Sequence, residues 1–179
     1  INDEILRKAK EANCYKICIG IESGNNEILK RIHRNYTIEE ANEAIQKIKN
    51  YRIRPFAFYI LGHPGETHKT IRDTIRSAIK INPFEIGMGI MVPYPGTEIF
   101  KLAQENKGGY KLTNADWDGY NRYGSTAMKF DKFTDRQLLL YQIIGNLLFY
   151  IINGKFSGLF NYISPKIKAV LRLMLGKKL

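Results

Sequence analysis

Three short apolar runs set the rhythm of this chain: residues 15–21 (YKICIGI), 56–61 (FAFYIL) and 84–92 (FEIGMGIMV). Each is rich in β-branched and aromatic residues and fits a strand, and the middle run, apolar at every position, reads as buried on both faces of a parallel sheet. Each run stops at a polar or Gly/Pro loop: Glu22-Ser23-Gly24, Gly62-His63-Pro64-Gly65-Glu66, and Pro93-Tyr94-Pro95-Gly96-Thr97. Gly62 and Gly65 can adopt backbone angles closed to other residues, and Pro64 stiffens the turn between them.

Between the runs the period changes to 3.6. Asn2 or Asp3 can cap a helix to about residue 13, with Ile5, Leu6 and Ala9 on one face. Asn25 or Asn26 can cap a short helix with Ile28, Leu29 and Ile32 inward, its far end ringed by Lys30, Arg31, His33 and Arg34, where the helix dipole favours cations. Thr37 and Glu40 form a capping box ahead of Ala41, Ala44, Ile45 and Ile48. Thr67 caps the next helix (Ile71, Ile75, Ala78, Ile79), which Pro83 closes, and Thr97 starts another that ends at Gly108-Gly109. Strand, loop, helix, repeated three times, predicts βα units on a parallel sheet, with three sets of loops converging on one rim where α/β folds bind ligands.

The rest of the chain changes character. Residues 109–134 scatter Tyr110, Trp117, Tyr120, Tyr123, Phe130 and Phe133 among Gly, Asn, Asp and Ser, an irregular connection packed over the domain with aromatics available to lid a substrate site. Residues 138–152 (LLLYQIIGNLLFYII) are nearly all apolar, yet shorter than the roughly 20 residues that span a bilayer. They read as a buried or membrane-facing helix. Residues 165–175 then predict a short basic amphipathic helix, with Ile167, Val170, Leu171 and Met174 against Lys166, Lys168 and Arg172. The organisation expected is therefore a βα segment over 1–108, the aromatic connection over 109–134 and an apolar, basic helical tail over 135–179.

Composition adds one decisive feature. The 179 residues are 44% hydrophobic and 25% charged, as in a globular protein, with a formal net charge of +11. No Asp or Glu follows Asp135, whereas Arg136, Lys155, Lys166, Lys168, Arg172, Lys177 and Lys178 do. The tail thus fits an anionic partner, whether membrane surface, nucleic acid or acidic protein, with a solvated helix face as the plainer alternative. Two cysteines without a framework spacing point to a reducing compartment and hence the cytoplasm. The chain starts mid-pattern without an initiator Met or targeting segment, which reads as a piece of a longer protein.

Taken together, GIESGNNEILKRIHR (20–34), FYILGHPGET (58–67) and MVPYPGTEIF (91–100) resemble the later half of the radical S-adenosylmethionine (SAM) domain. The likeness is greatest to the branch carrying an upstream cobalamin-binding domain, which includes radical SAM methylases and the anaerobic magnesium-protoporphyrin ester cyclase group. The resemblance implies half of a partial (β/α)₆ TIM-like barrel with a helical extension, SAM and a 4Fe-4S cluster as cofactors, and cobalamin on an upstream domain. By position it implies that Glu22 and Ser23 meet the SAM ribose and that Arg34 pairs with the SAM carboxylate. Ile60 and Gly62 then pack against adenine, and the Met91, Val92 and Pro93 backbone contacts its edge. A carboxylate accepts both hydroxyls of a diol and a guanidinium binds a carboxylate bidentately, so these residue types suit the work.

The family's cluster hangs on a C-x3-C-x2-C loop that this sequence lacks. Cys14 and Cys18 have three residues between them, but position 21 is Ile, and both fall in a predicted strand, where plain core cysteines are expected. The chain as given is expected to bind no metal cluster and to need the N-terminal half, from the same protein or a partner chain. Of the histidines, His63 lies in the rim loop, with His33 and His68 as bystanders, and Glu66 is assigned to helix-dipole work. The implied reaction is radical C–H functionalisation, methylation or oxidative cyclisation, of a small apolar, macrocyclic or lipid-like substrate. Alternatives are the tRNA-modifying branch, which the apolar tail disfavours along with nucleic acid, and a non-catalytic basic module gripping membrane or RNA.

Overall fold

In the computed structural model the described residues are 1–113, 116–122 and 127–174, with no side chains described for Asp118 and 166–174. Strands β1 (Lys16–Glu22), β2 (Arg54–Leu61) and β3 (Glu85–Ile90) form one parallel sheet in sequence order. The register pairs Ile19 with Ala57 and Phe58 with Gly87, so the carboxyl ends of the three strands finish side by side. The sheet is open: among the described residues, β1 and β3 each pair with β2 and with no other strand.

Helix α1 (Asp3–Glu11) is capped by the Asn2 side chain, and α2 (Asn26–Arg31) by that of Asn25. Helix α3 (Ile38–Asn50) carries the Thr37–Glu40 capping box, with both reciprocal bonds present. Thr67 caps α4 (His68–Ile81) in a second box with Thr70, and Thr97 caps α5 (Glu98–Gln104). These side chains satisfy backbone N–H groups that have no partner within the helix, which is why each helix starts where it does.

Helices α3, α4 and α6 (Asp135–Ile152) lie against one face of the sheet. There Ile21, Ala57, Tyr59, Leu61, Ile86, Met88 and Ile90 are buried among Ile45, Ile71, Ile75, Leu138 and Phe149. A smaller cluster of Leu6, Ile48 and Ile53 seats α1 under the amino ends of the strands.

The structure corrects four expectations. β2 is buried on one face only: Ala57, Tyr59 and Leu61 point to the helices, whereas Phe56, Phe58 and Ile60 are half-buried on a face that no helix of the described residues covers. Cys18 is exposed and so not a core cysteine, whereas Cys14 is half-buried against the Leu6, Ile48 and Ile53 cluster with its thiol donating to the Lys16 carbonyl. The aromatic connection is not wholly irregular, because β4 (Tyr110–Leu112) and β5 (Met128–Phe130) pair as an antiparallel ribbon. The tail helix starts at Phe156 rather than at Pro165, which lies inside α7 (Phe156–Met174). Tyr123 and the expected face of residues 166–175 lie outside the described residues and side chains.

Candidate functional site

At the end of β1 the pairing slips by one residue between Gly20 and Glu22, a β-bulge of the kind that re-aims a side chain. The Tyr36 hydroxyl donates to the Gly20 carbonyl at 2.8 Å, with the Ile21 carbonyl at 3.3 Å, and holds the bulge from outside the sheet. Glu22 sits in the left-handed region (φ 66°), an uncommon conformation for a residue with a side chain. Its carboxylate, mostly shielded from solvent, accepts from Arg34 Nη2 at 2.7 Å. A Cβ on Gly20 would stand 2.6 Å from the Glu22 Oε1 atom, so only glycine leaves this carboxylate its place.

The turn after β2 is closed by Glu66. Its Oε2 atom accepts from the backbone N–H groups of Gly62 and His63, while Tyr110 donates its hydroxyl to the Gly62 carbonyl at 2.9 Å. Glu66 therefore organises this turn; it precedes the Thr67 cap and is not part of α4, contrary to the role expected for it. Glu66 is 2% exposed and His63 6% exposed. The Glu66 Oε1 atom and both His63 ring nitrogens have no hydrogen-bond partner among the described residues. Burial pushes the Glu66 carboxyl up to about 7 against the pull of the two N–H donors. Burial also pushes His63 down to about 4, with the Glu22 backbone opposing the fall and the Arg34 charge adding to it.

Beyond β3 the chain continues its partnership with β2, Met91 N–H donating to the Leu61 carbonyl at 2.8 Å. Val92 and Pro93 are buried, and the Tyr94 ring stacks on Tyr120 with centroids 5.9 Å apart.

These three strand ends border two adjoining hollows. One, of about 360 Å³, lies along the uncovered sheet face and is lined by Gly20, Glu22, Phe58, Ile60, Gly89, Met91, Val92, Tyr94 and Arg122. The other, of about 470 Å³, is lined by Glu22, Arg31, Arg34, Ile60, His63 and Met91 among others. Glu22, Ile60 and Met91 line both.

Of the residues singled out in the sequence, Glu22, Arg34, Ile60, Met91 and Val92 thus come together. Ser23 does not: it is fully buried behind β1, where its hydroxyl meets the Thr74 hydroxyl at 3.3 Å and accepts from Asn25 N–H. Gly62 and Pro93 are absent from both linings, Gly62 serving as donor to Glu66. His33 is an exposed left-handed residue just past α2, and His68 is bonded to the Tyr141 hydroxyl at 3.0 Å, joining α4 to α6. Among the polar lining residues that sequence reasoning missed are Arg122, Tyr94, Arg31 and Glu98. Tyr94 and Arg31 stood inside quoted motifs, whereas nothing in the spacing around Arg122 marks it.

The site offers two carboxylates, Glu22 and Glu98, three guanidinium groups and an apolar floor. Among the described residues no three His, Cys, Asp or Glu are grouped to hold a metal. With two cysteines, one bonded to its own strand and the other on an open strand face, the residues present do not fit an iron–sulfur cluster.

Residues 1–78 match the family model described as the radical SAM superfamily. The chain is 28% identical over 137 residues to an uncharacterized methyltransferase of Pyrococcus horikoshii, an alignment covering 76% of this chain and 29% of that protein. It is 26% identical over 155 residues to the anaerobic magnesium-protoporphyrin IX monomethyl ester cyclase of Rubrivivax gelatinosus, covering 87% of this chain and 27% of the cyclase. A probable threonylcarbamoyladenosine tRNA methylthiotransferase of Pyrococcus abyssi is 29% identical over 105 residues, covering 57% of this chain and 25% of that enzyme. The chain therefore spans between a quarter and a third of the length of these relatives. Among solved structures, the fold is similar to that of TsrM, a radical S-adenosylmethionine methyltransferase from Kitasatospora setae with cobalamin and a 4Fe-4S cluster bound. The TM-score is 0.56 at 19% identity, over 65% of this chain and 24% of TsrM. The open parallel sheet is thus part of a TIM-like barrel.

Proposed function

We propose that the chain, whose residues 1–78 match the radical SAM superfamily model, supplies SAM contacts and one wall of the substrate cavity in an enzyme of radical C–H functionalisation, methylating or oxidatively cyclising a small apolar or macrocyclic substrate. The observation that carries this reading is the meeting of Glu22, Ile60 and Met91, one from the end of each parallel strand, on the shared border of both hollows. SAM, when bound, supplies the electrophilic sulfonium from which a carbon radical is released on one-electron reduction.

This chain's residues bind and orient. The Glu22 carboxylate, aimed by the bulge, accepts the two hydroxyls of the ribose. Arg34, already within 2.7 Å of Glu22, offers its remaining donors to the ligand's carboxylate. Phe58, Ile60 and Met91 form an apolar wall against which adenine and an apolar substrate exclude water. Ser23 holds the start of the following loop from behind and touches no ligand. The iron–sulfur ligands come from outside these 179 residues, as does any cobalamin, and no step is routed through either here.

The test is isothermal titration of the chain with SAM. Glu22→Gln keeps the shape and loses the charge, so affinity should fall by about 10- to 100-fold, as for a hydrogen bond to a charged acceptor. Unchanged affinity would remove Glu22 from the site. The likeness to the tRNA methylthiotransferase favours a tRNA-modifying enzyme as a second reading. Tight, salt-dependent tRNA binding would select that branch.

A further inference from the structure

Beyond its first turn, helix α6 carries apolar residues on both its faces and amides only on the inner one. Its buried positions are Leu138, Gln142, Gly145, Asn146, Phe149 and Tyr150, so two amides and a glycine face the sheet. Gln142 donates to the Met88 and Arg122 carbonyls, and a Cβ on Gly145 would lie 2.6 Å from the Met88 sulfur. The outward positions are Leu139, Leu140, Ile144, Leu148, Ile151 and Ile152, between 36% and 60% exposed. Leu140, Ile144, Leu148 and Ile151 follow the i, i+4, i+8, i+11 spacing that keeps side chains on one helix face. Phe156 and Phe160, one turn apart at the start of α7, are more exposed still, at 67% and 70%. From residue 137 to residue 154 the sequence contains no charge at all. A helix face bathed in water ordinarily carries charges, as α1 and α3 do; this one carries none.

We propose that the outer face of α6, with Phe156 and Phe160, rests on an anionic lipid surface, lying in the interface rather than crossing it. Crossing is ruled out for the described helices, none of which is long and apolar enough. Charge complementarity selects lipid as the occupant. From Arg136 onward there are seven Lys or Arg and not one Asp or Glu, a one-sided balance that matches an acidic bilayer surface and is self-repelling for a second copy of this chain. Lys155 is not among the contacts, since its ammonium sits over the Phe84 and Phe149 rings at 5.7 Å. This inference is independent of the SAM-site reading.

The test is co-sedimentation of the 179-residue chain with vesicles of phosphatidylcholine alone and of phosphatidylcholine with phosphatidylglycerol. Binding should require phosphatidylglycerol and weaken as salt is raised. Leu148→Glu with Ile151→Glu should lower the partition coefficient roughly 100-fold, while circular dichroism shows an unchanged fold, both positions being exposed. Neutralising Lys177 and Lys178 to Gln should cost roughly fivefold per charge. Failure to bind any vesicle, or equal binding to neutral vesicles, overturns the proposal. So does light scattering that finds a dimer dispersed by the same double substitution, since that would show a second copy as the occupant.

Discussion

Helices α4 and α6 pack against each other on the same face of the sheet, yet their outer faces are built from opposite residue types. Helix α4 buries Ile71, Thr74, Ile75, Ala78 and Ile81 and presents Lys69, Arg72, Arg76 and Lys80 to solvent. Helix α6 turns Gln142 and Asn146 inward beside Leu138 and Phe149, and turns Leu140, Ile144, Leu148 and Ile151 out. The difference teaches that apolar content does not by itself locate a core: Leu61 and Leu148 are equally hydrophobic, but one is fully buried and the other 38% exposed. It also separates two jobs, since the inner side of α4 completes the core beneath the sheet and the outer side of α6 builds a surface.

The comparison can be broken most decisively at Leu61. Leu61→Ala removes a fully buried side chain from β2 and should destabilise the fold by roughly 2–5 kcal/mol in urea denaturation. A smaller loss would mean that the β2 face is looser than its burial implies. Next in size is Gln142→Leu, which makes α6 more hydrophobic and should nevertheless cost about 1–3 kcal/mol, because the buried Met88 carbonyl loses the Gln142 donor and the Arg122 carbonyl keeps only Ile90 N–H. A stabilised Gln142→Leu protein would show that the inward amides are incidental.

The third effect is in the pH profile. The Glu66 carboxyl is raised to about 7 from 4.5, so the unfolded chain loses its proton first and stability falls as pH rises through that window. His63 is lowered to about 4 from 6.5, so the unfolded chain gains a proton first and stability rises with pH over its own window. Between pH 4.5 and 6.5 the two slopes oppose and nearly cancel. In Glu66→Gln only the histidine slope remains, and stability should climb by up to about 1.4 kcal/mol per pH unit across that interval. Chemical denaturation at several pH values reads it directly. The smallest effect belongs to Leu148→Ala, expected within about 0.5 kcal/mol of the parent despite losing the same atoms as Leu61→Ala.

Much of this architecture was legible in the sequence. The helix starts were marked by Thr37, Thr67 and Thr97, and to within one residue by the pairs Asn2/Asp3 and Asn25/Asn26, of which the structure uses Asn2 and Asn25, because a capping side chain has a local job that tertiary packing rarely overrides. The strands were marked by their apolar runs. The open face of β2 was not legible, because periodicity cannot say whether an apolar face meets a helix, a cavity or another part of a barrel. At the site, Glu22, Arg34, Ile60, Met91 and Val92 converge, since they end or follow strands that neighbour one another. Ser23 was beyond reach of sequence reasoning, because the bulge at Gly20–Glu22 decides which of two adjacent polar side chains faces inward. Arg122 reaches the groove only through the tertiary fold, its carbonyl accepting from Ile90 N–H and Gln142. The apolar run at 138–152 had suggested a buried or membrane-facing helix, and that its amides face inward could be seen only once its neighbours were in place.

The claim at the centre of this account is that the ends of β1, β2 and β3 form one SAM-binding groove. The most direct measurement is a two-dimensional NMR titration of isotopically labelled chain with SAM. Saturable shifts at Glu22, Ile60 and Met91, weakened together in Glu22→Gln and unaffected by Leu148→Ala, are the expected result. Shifts confined to other residues, or none at concentrations that saturate SAM-binding proteins, would contradict it.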